Sequence, residues 1–111
     1  MALYMLQAKY TLDAIRQIAE SGDNREEAVR PLIEQNGGKL IAYYGMMGQD
    51  YHVAMITEFD SLPNYMGILL TGVLGGALAD FKTILLYTAG DVVEASEVYK
   101  ANKATYAAPG S

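Results

Sequence analysis

The chain has a single histidine, His52. Histidine is the side-chain type that titrates near neutrality, so proton transfer by an imidazole has one candidate position. Around it gather Tyr43, Tyr44, Met46, Met47, Tyr51 and Met55, in a chain that carries nine tyrosines and six methionines. Tyrosine brings a large apolar ring with one polar tip, and methionine fits irregular surfaces. That combination suits an aromatic ligand, and it suits a core or an interface between copies equally well. In the functional reading, His52 is a general base or hydrogen-bond donor in an apolar cavity. The Tyr44 hydroxyl then orients the substrate, and Tyr43, Tyr51, Met55 and Gln7 bind the ligand. In the structural reading, His52 sits at the hairpin end of a strand, partly solvated and hydrogen-bonded locally. His52 and Glu58 share one strand face but lie ~20 Å apart along it, too far to touch. The neighbours within reach of His52 are Tyr43 or Tyr44 across the hairpin and Gln7 or Lys9 on the first strand.

Other chemistries are excluded by residue type. With no cysteine and one histidine, thiolate and histidine-rich zinc sites are absent unless subunits share ligands. Neither Gly-x-Gly-x-x-Gly after a strand nor Gly-x-x-x-x-Gly-Lys occurs, so the common phosphate cradles are missing. Gly-x-Ser-x-Gly is also missing, and Ser21, Ser61, Ser96 and Ser111 fall at a turn, a helix start, an outer helix and a tail. No cofactor is implied by these patterns. Eight Lys and Arg against thirteen Asp and Glu give a net charge of -5 without a basic cluster, which argues against nucleic acid or an anionic membrane as partner. Arg16, Arg25 and Arg30 interleave with Asp13, Glu20, Asp23, Glu26, Glu27 and Glu34, the mixture of a solvated, salt-bridged face rather than an anion site.

The elements that must position these residues follow from periodicity. Residues 2–10 (ALYMLQAKY) are apolar on both alternating sets and read as a strand. Thr11 opens a short helix ending at Ser21-Gly22, and Asn24 with Glu27 has the spacing of a capping box for a second, main helix. Pro31 falls inside that helix, where a kink or a late start is expected. Strands are predicted over Lys39–Met47, Tyr51–Phe59 and Ala79–Tyr87, with a helix from Ser61 to about Leu74 between the last two and a final helix over Asp91–Ala104. The uncharged window Ser61–Ala79 contains Pro63 and four glycines, so it reads as a buried helix rather than the roughly 20 apolar residues of a membrane span. Gly72 and Gly76 mark close packing or the helix end. The first nine residues lack the cationic leader of a signal peptide, and a cytoplasmic location is the expectation.

The order β-α-β-β-α-β, joined by one hairpin, is an α+β ferredoxin-like sandwich: a four-stranded antiparallel sheet with both main helices on one face and a C-terminal helix appended. Residues 1–104 form one domain and residues 105–111 a loose tail. With 51% hydrophobic residues and strands apolar on both sets, the second sheet face needs a cover. A second copy packed sheet to sheet is the simplest one, giving a homodimeric α/β barrel.

The chain resembles the GYD-domain family. The resemblance rests on Lys9-Tyr10-Thr11, Arg25-Glu26-Glu27-Ala28-Val29-Arg30, Ile33-Glu34, Gly37-Gly38-Lys39-Leu40, Gly75-Gly76-Ala77, Phe81-Lys82-Thr83 and Glu94-Ala95. The family's Gly-Tyr-Asp signature stands here as Gly48-Gln49-Asp50-Tyr51, with its last two residues reversed and His52 following; Pro31 is a further departure. The resemblance implies a dimeric α/β barrel and assigns no catalytic residue. The leading functional expectation is a homo-oligomeric module for interaction or for binding a small hydrophobic ligand. The alternatives are a cofactor-free monooxygenase or cyclase acting on an aromatic or polyketide-like substrate through His52, and haem binding with His52 as axial ligand.

Overall fold

The computed structural model describes residues 1–110; Ser111, the end of the expected tail, lies outside the described residues. In chain order the elements are β1 (Ala2–Tyr10), α1 (Leu12–Ser21), α2 (Arg25–Gln35), β2 (Gly38–Gly45), β3 (Val53–Phe59), α3 (Leu62–Leu74), β4 (Leu78–Leu86) and α4 (Ala89–Asn102). All strand pairs are antiparallel, in the order β2-β3-β1-β4, the α+β ferredoxin-like arrangement expected from the sequence.

Capping chemistry sets the helix boundaries. The side chains of Thr11, Asn24 and Ser61 accept hydrogen bonds from the backbone N–H groups of Ala14, Glu27 and Asn64, the orphan donors of each first turn. Pro31 sits inside α2, which nonetheless runs unbroken from its Asn24 cap to Gln35. The last helix starts earlier than expected, at Ala89. Thr88 and Asp91 form a reciprocal capping box there, a pattern the acidic start at Asp91 had concealed. The hairpin is also longer than expected. β2 stops at Gly45 and β3 begins at Val53, because Gly48 takes a left-handed turn conformation and the Met46 N–H closes the loop onto the His52 carbonyl.

β1 is the central ladder, paired with β3 on one side and β4 on the other. Its even residues Tyr4, Leu6 and Ala8 are buried under α2 and α3, opposite Thr57, Met55 and Val53 of β3. The core cluster joins Tyr4, Ile33, Leu40, Phe59 and Tyr65. Tyr65 stacks on Tyr4 with ring centroids 4.5 Å apart and meets Phe59 edge-on at 5.7 Å, contacts worth about 0.5–1.5 kcal/mol each beyond area burial. The Tyr65 hydroxyl pairs with Thr83 Oγ1 at 2.7 Å, which ties α3 to β4. The odd residues Leu3, Met5, Gln7 and Lys9 face the opposite side with Ala54, Ile56 and Glu58, and neither α2 nor α3 covers them.

α4 leaves this body and makes no more than marginal contact with any other element. The chain therefore measures 63 × 31 × 23 Å with a radius of gyration of 18.4 Å, against ~13 Å for a compact domain of this length. Val92, Val93, Val98 and Tyr99 of α4 are exposed.

Gly38 opens β2 directly under Phe59, the largest fully buried side chain. A Cβ there would overlap the Phe59 ring and come within 2.9 Å of Ile33 Cγ2. Gly38→Ala is expected to lower unfolding stability by about 1–3 kcal/mol through overpacking, read from urea melts; an unchanged midpoint would show that Phe59 repacks at no cost.

Candidate functional site

A bulge decides which tyrosine reaches the helix side of the sheet. After Lys39 the run LIAYYG has no polar–apolar alternation, so alternation alone leaves its faces open. The β2–β3 register slips at Ile41: Leu40 pairs with Thr57, but Ala42 pairs with Ile56 and Tyr43 with Met55. Leu40 and Tyr43 thus both face the helices, while Tyr44 faces the other side and is 69% exposed. A second register shift, between Lys9 and Tyr10, ends β1. Tyr10 and Tyr43 then meet hydroxyl to hydroxyl at 2.7 Å. Burial, reinforced by the bond to Tyr10, pushes the Tyr43 hydroxyl well above its ordinary pKa of 10.0.

Beside this pair lies an apolar cavity of about 270 Å³ between the sheet and helices α2 and α3. Leu6, Ala8, Met55, Thr57 and Phe59 form its floor, and Val29, Ile33, Ile68 and Leu69 contribute to its roof. The hydroxyls within it are already engaged: Thr57 donates to the Tyr4 carbonyl, Thr71 to the Gly67 carbonyl, and Tyr65 pairs with Thr83. Gly72 also lines it; a Cβ there would press within 3.3 Å of Leu78, and Gly76 turns the chain at the helix end with φ 86°. The Gly72/Gly76 spacing thus serves close packing and termination together. Outside, a groove of about 560 Å³ runs along α1, lined by Ala14, Gln17, Glu20, Ser21 and Asp23 among others. Tyr10, Arg25 and Ala77 line both spaces.

His52 lies behind this partition, lining neither space. Its backbone N–H donates to the Ala8 carbonyl at 2.9 Å, and its Nδ1 accepts the Tyr10 N–H at 3.0 Å. The ring therefore supplies the ladder partner that Tyr10 lacks where β3 has ended, and the neutral imidazole carries its hydrogen on Nε2. The Tyr10 and His52 rings stack at 6.1 Å. The neighbour of His52 is thus Tyr10, rather than Tyr44 or Gln7.

The remaining residues singled out in the sequence divide between the two sheet faces. Met55 lines the cavity, and Tyr43 reaches it through Tyr10. Gln7 lies on the opposite face, where Tyr51 bridges from the hairpin to β4: its hydroxyl donates to Asp80 at 3.1 Å, and Lys82 Nζ sits 5.2 Å from its ring centroid. The segment Gly48-Gln49-Asp50-Tyr51 is accordingly a turn followed by a strap across the sheet. Tyr10 and Arg25 were not among the candidates. Tyr10 shares the alternation of Tyr4, Leu6 and Ala8, a signal the sequence did contain, whereas the placement of Arg25 depends on how α2 crosses the sheet. Among the described residues, no cluster of three or more His, Asp or Glu could hold a metal ion, and no helix is long and apolar enough to cross a membrane.

The register and the single helix layer define a ferredoxin-like α+β domain with an apolar cavity between its layers. The chain belongs to the GYD-domain family, whose pattern matches residues 4–105. The crystal structure of an uncharacterized NIPSNAP domain protein from Burkholderia xenovorans is similar in fold, with a TM-score of 0.53 and 12% identity over 80% of this chain and 95% of that one. No curated protein matches in sequence.

Because the raised Tyr43 value belongs to the folded state, the unfolded chain loses this proton first as pH rises. The stabilisation is complete below the ordinary tyrosine value and declines as pH climbs above 10.0 toward the folded value. Tyr43→Phe should therefore flatten the alkaline fall in stability relative to wild type in melts across that range, while costing about 1 kcal/mol at neutral pH for the lost hydroxyl pair.

Proposed function

We propose that this protein is a homodimeric module that holds a small hydrophobic ligand between its sheet and its helices. The observation that carries the reading is the apolar cavity of about 270 Å³ roofed by α2 and α3, whose Thr57, Tyr65 and Thr71 hydroxyls are each bonded within the protein. A packed domain of this size leaves few voids larger than a water molecule, so a space of this volume between the layers is a binding feature. Its chemistry favours binding over catalysis. The single imidazole is committed through Nδ1 to the backbone of Tyr10 and does not line the space.

Dimerisation is supported by the second sheet face. Leu3, Met5, Ala54, Ile56, Ile84 and Leu86 share it, and neither main helix lies over them. The exposed valines of α4 add apolar surface remote from the domain's own core. Joining two copies through this face removes both from water without any other gene product.

Sedimentation velocity of the wild type should give a dimer, and Ile84→Lys, which places a charge on the β4 side of the face, should shift it to monomer; a soluble wild-type monomer at micromolar concentration would overturn the assembly. For the ligand, native mass spectrometry of protein purified from its own host should show a retained small molecule. A bare polypeptide mass, together with no uptake of small aromatic hydrocarbons in solution, would leave the cavity without an occupant.

A further inference from the structure

The three arginines of the first helices are not equivalent. Arg16 pairs with Asp13, and Arg30 pairs with Glu26 while reaching the Leu40 carbonyl; neither lines a cavity. Arg25 pairs with Asp23 through Nη1 at 2.7 Å, but it also lines both the inner apolar cavity and the outer groove. It stands at the junction of the two with Tyr10. A guanidinium has five N–H donors in a planar fork, and Asp23 takes one of them. The Tyr10–Tyr43 pair holds two hydroxyl hydrogens and spends one between its oxygens. Thr57 and Thr71 donate their hydroxyl hydrogens to carbonyls, and the Tyr65–Thr83 pair likewise spends one of its two. The cationic donors open to a bound molecule therefore stand at one end of an apolar space, on Arg25.

Resting on the ligand-binding reading above, the geometry points to a small monocarboxylic acid as the ligand, its apolar body in the inner cavity and its carboxylate at the junction on Arg25 and Tyr10. Arginine is the residue whose fork matches a carboxylate. The cavity holds about nine waters' worth of volume at ~30 Å³ each, room for an apolar body of about ten non-hydrogen atoms. The number of charges is limited as well. Glu20 and Asp23 line the outer groove, so a second anionic group extending outward would meet like charge.

Hydrocinnamate, its neutral amide and ethylbenzene separate the terms by titration calorimetry. The acid should bind wild type about tenfold more tightly than the amide. Arg25→Gln, checked for an unchanged melting profile, should erase that preference while leaving amide affinity within about twofold, and Arg25→Lys should keep part of it. Equal affinity of acid and amide for wild type would overturn the carboxylate assignment and leave the apolar cavity standing, as would an acid preference that survives Arg25→Gln. Failure of all three compounds to bind would remove the ligand-binding reading and this assignment with it.

Discussion

The structure turns on the two-sided pairing of β1. Hydrogen-bonded to β3 along one edge and β4 along the other, it has no freedom to slip without moving every side chain to the opposite face. That register sends Tyr4, Leu6, Ala8 and Tyr10 toward the helices and Leu3, Met5, Gln7 and Lys9 away from them. The aromatic stack of Tyr4, Tyr65 and Phe59 forms on the first set, and α3 is held over the sheet by the same stack and by the Tyr65–Thr83 bond. The outer groove lies at the Tyr10 end of this ladder, where regular pairing gives out, and the inner cavity runs back from there to Phe59.

Two irregularities at that end do the positioning. The slip at Ile41 rotates Tyr43 under the helices, and the shift after Lys9 lets Tyr10 meet it. His52 then replaces a missing ladder acceptor by taking the Tyr10 N–H on its ring nitrogen. The solitary histidine, the most conspicuous chemical residue in the chain, thus fixes the tyrosine that partitions inner cavity from outer groove. Its link to the cavity runs through Tyr10.

The two faces of the sheet carry different kinds of surface. The helix side buries its aromatics around a largely apolar cavity. The other side mixes apolar residues with the Tyr51, Asp80 and Lys82 cluster, a combination suited to a specific interface, since the charged groups set register while the apolar ones supply area. Gln7, Tyr44 and Tyr51 belong to that surface, and Met55 and Tyr43 to the cavity side. A hairpin rich in tyrosine and methionine therefore serves both sides of the sheet at once.

Much of the fold was legible in the residues. Thr11, Asn24 and Ser61 mark helix starts because a side-chain oxygen there meets an orphan N–H two or three residues on, a local interaction that needs no tertiary context. The alternation of β1 and β3, the left-handed turn at Gly48 and the helix end at Gly76 are local in the same sense, and together they yield the strand order. The sharing of the five candidate residues other than His52 between two faces was not legible, because the β2 run after Lys39 has no polar–apolar alternation and only pairing with β3 locates the bulge at Ile41. Nor was the role of Arg25. Among interleaved charges three arginines look alike, and what separates one from the others is the crossing of α2 over the sheet, a long-range packing outcome that brings residue 25 beside residue 10.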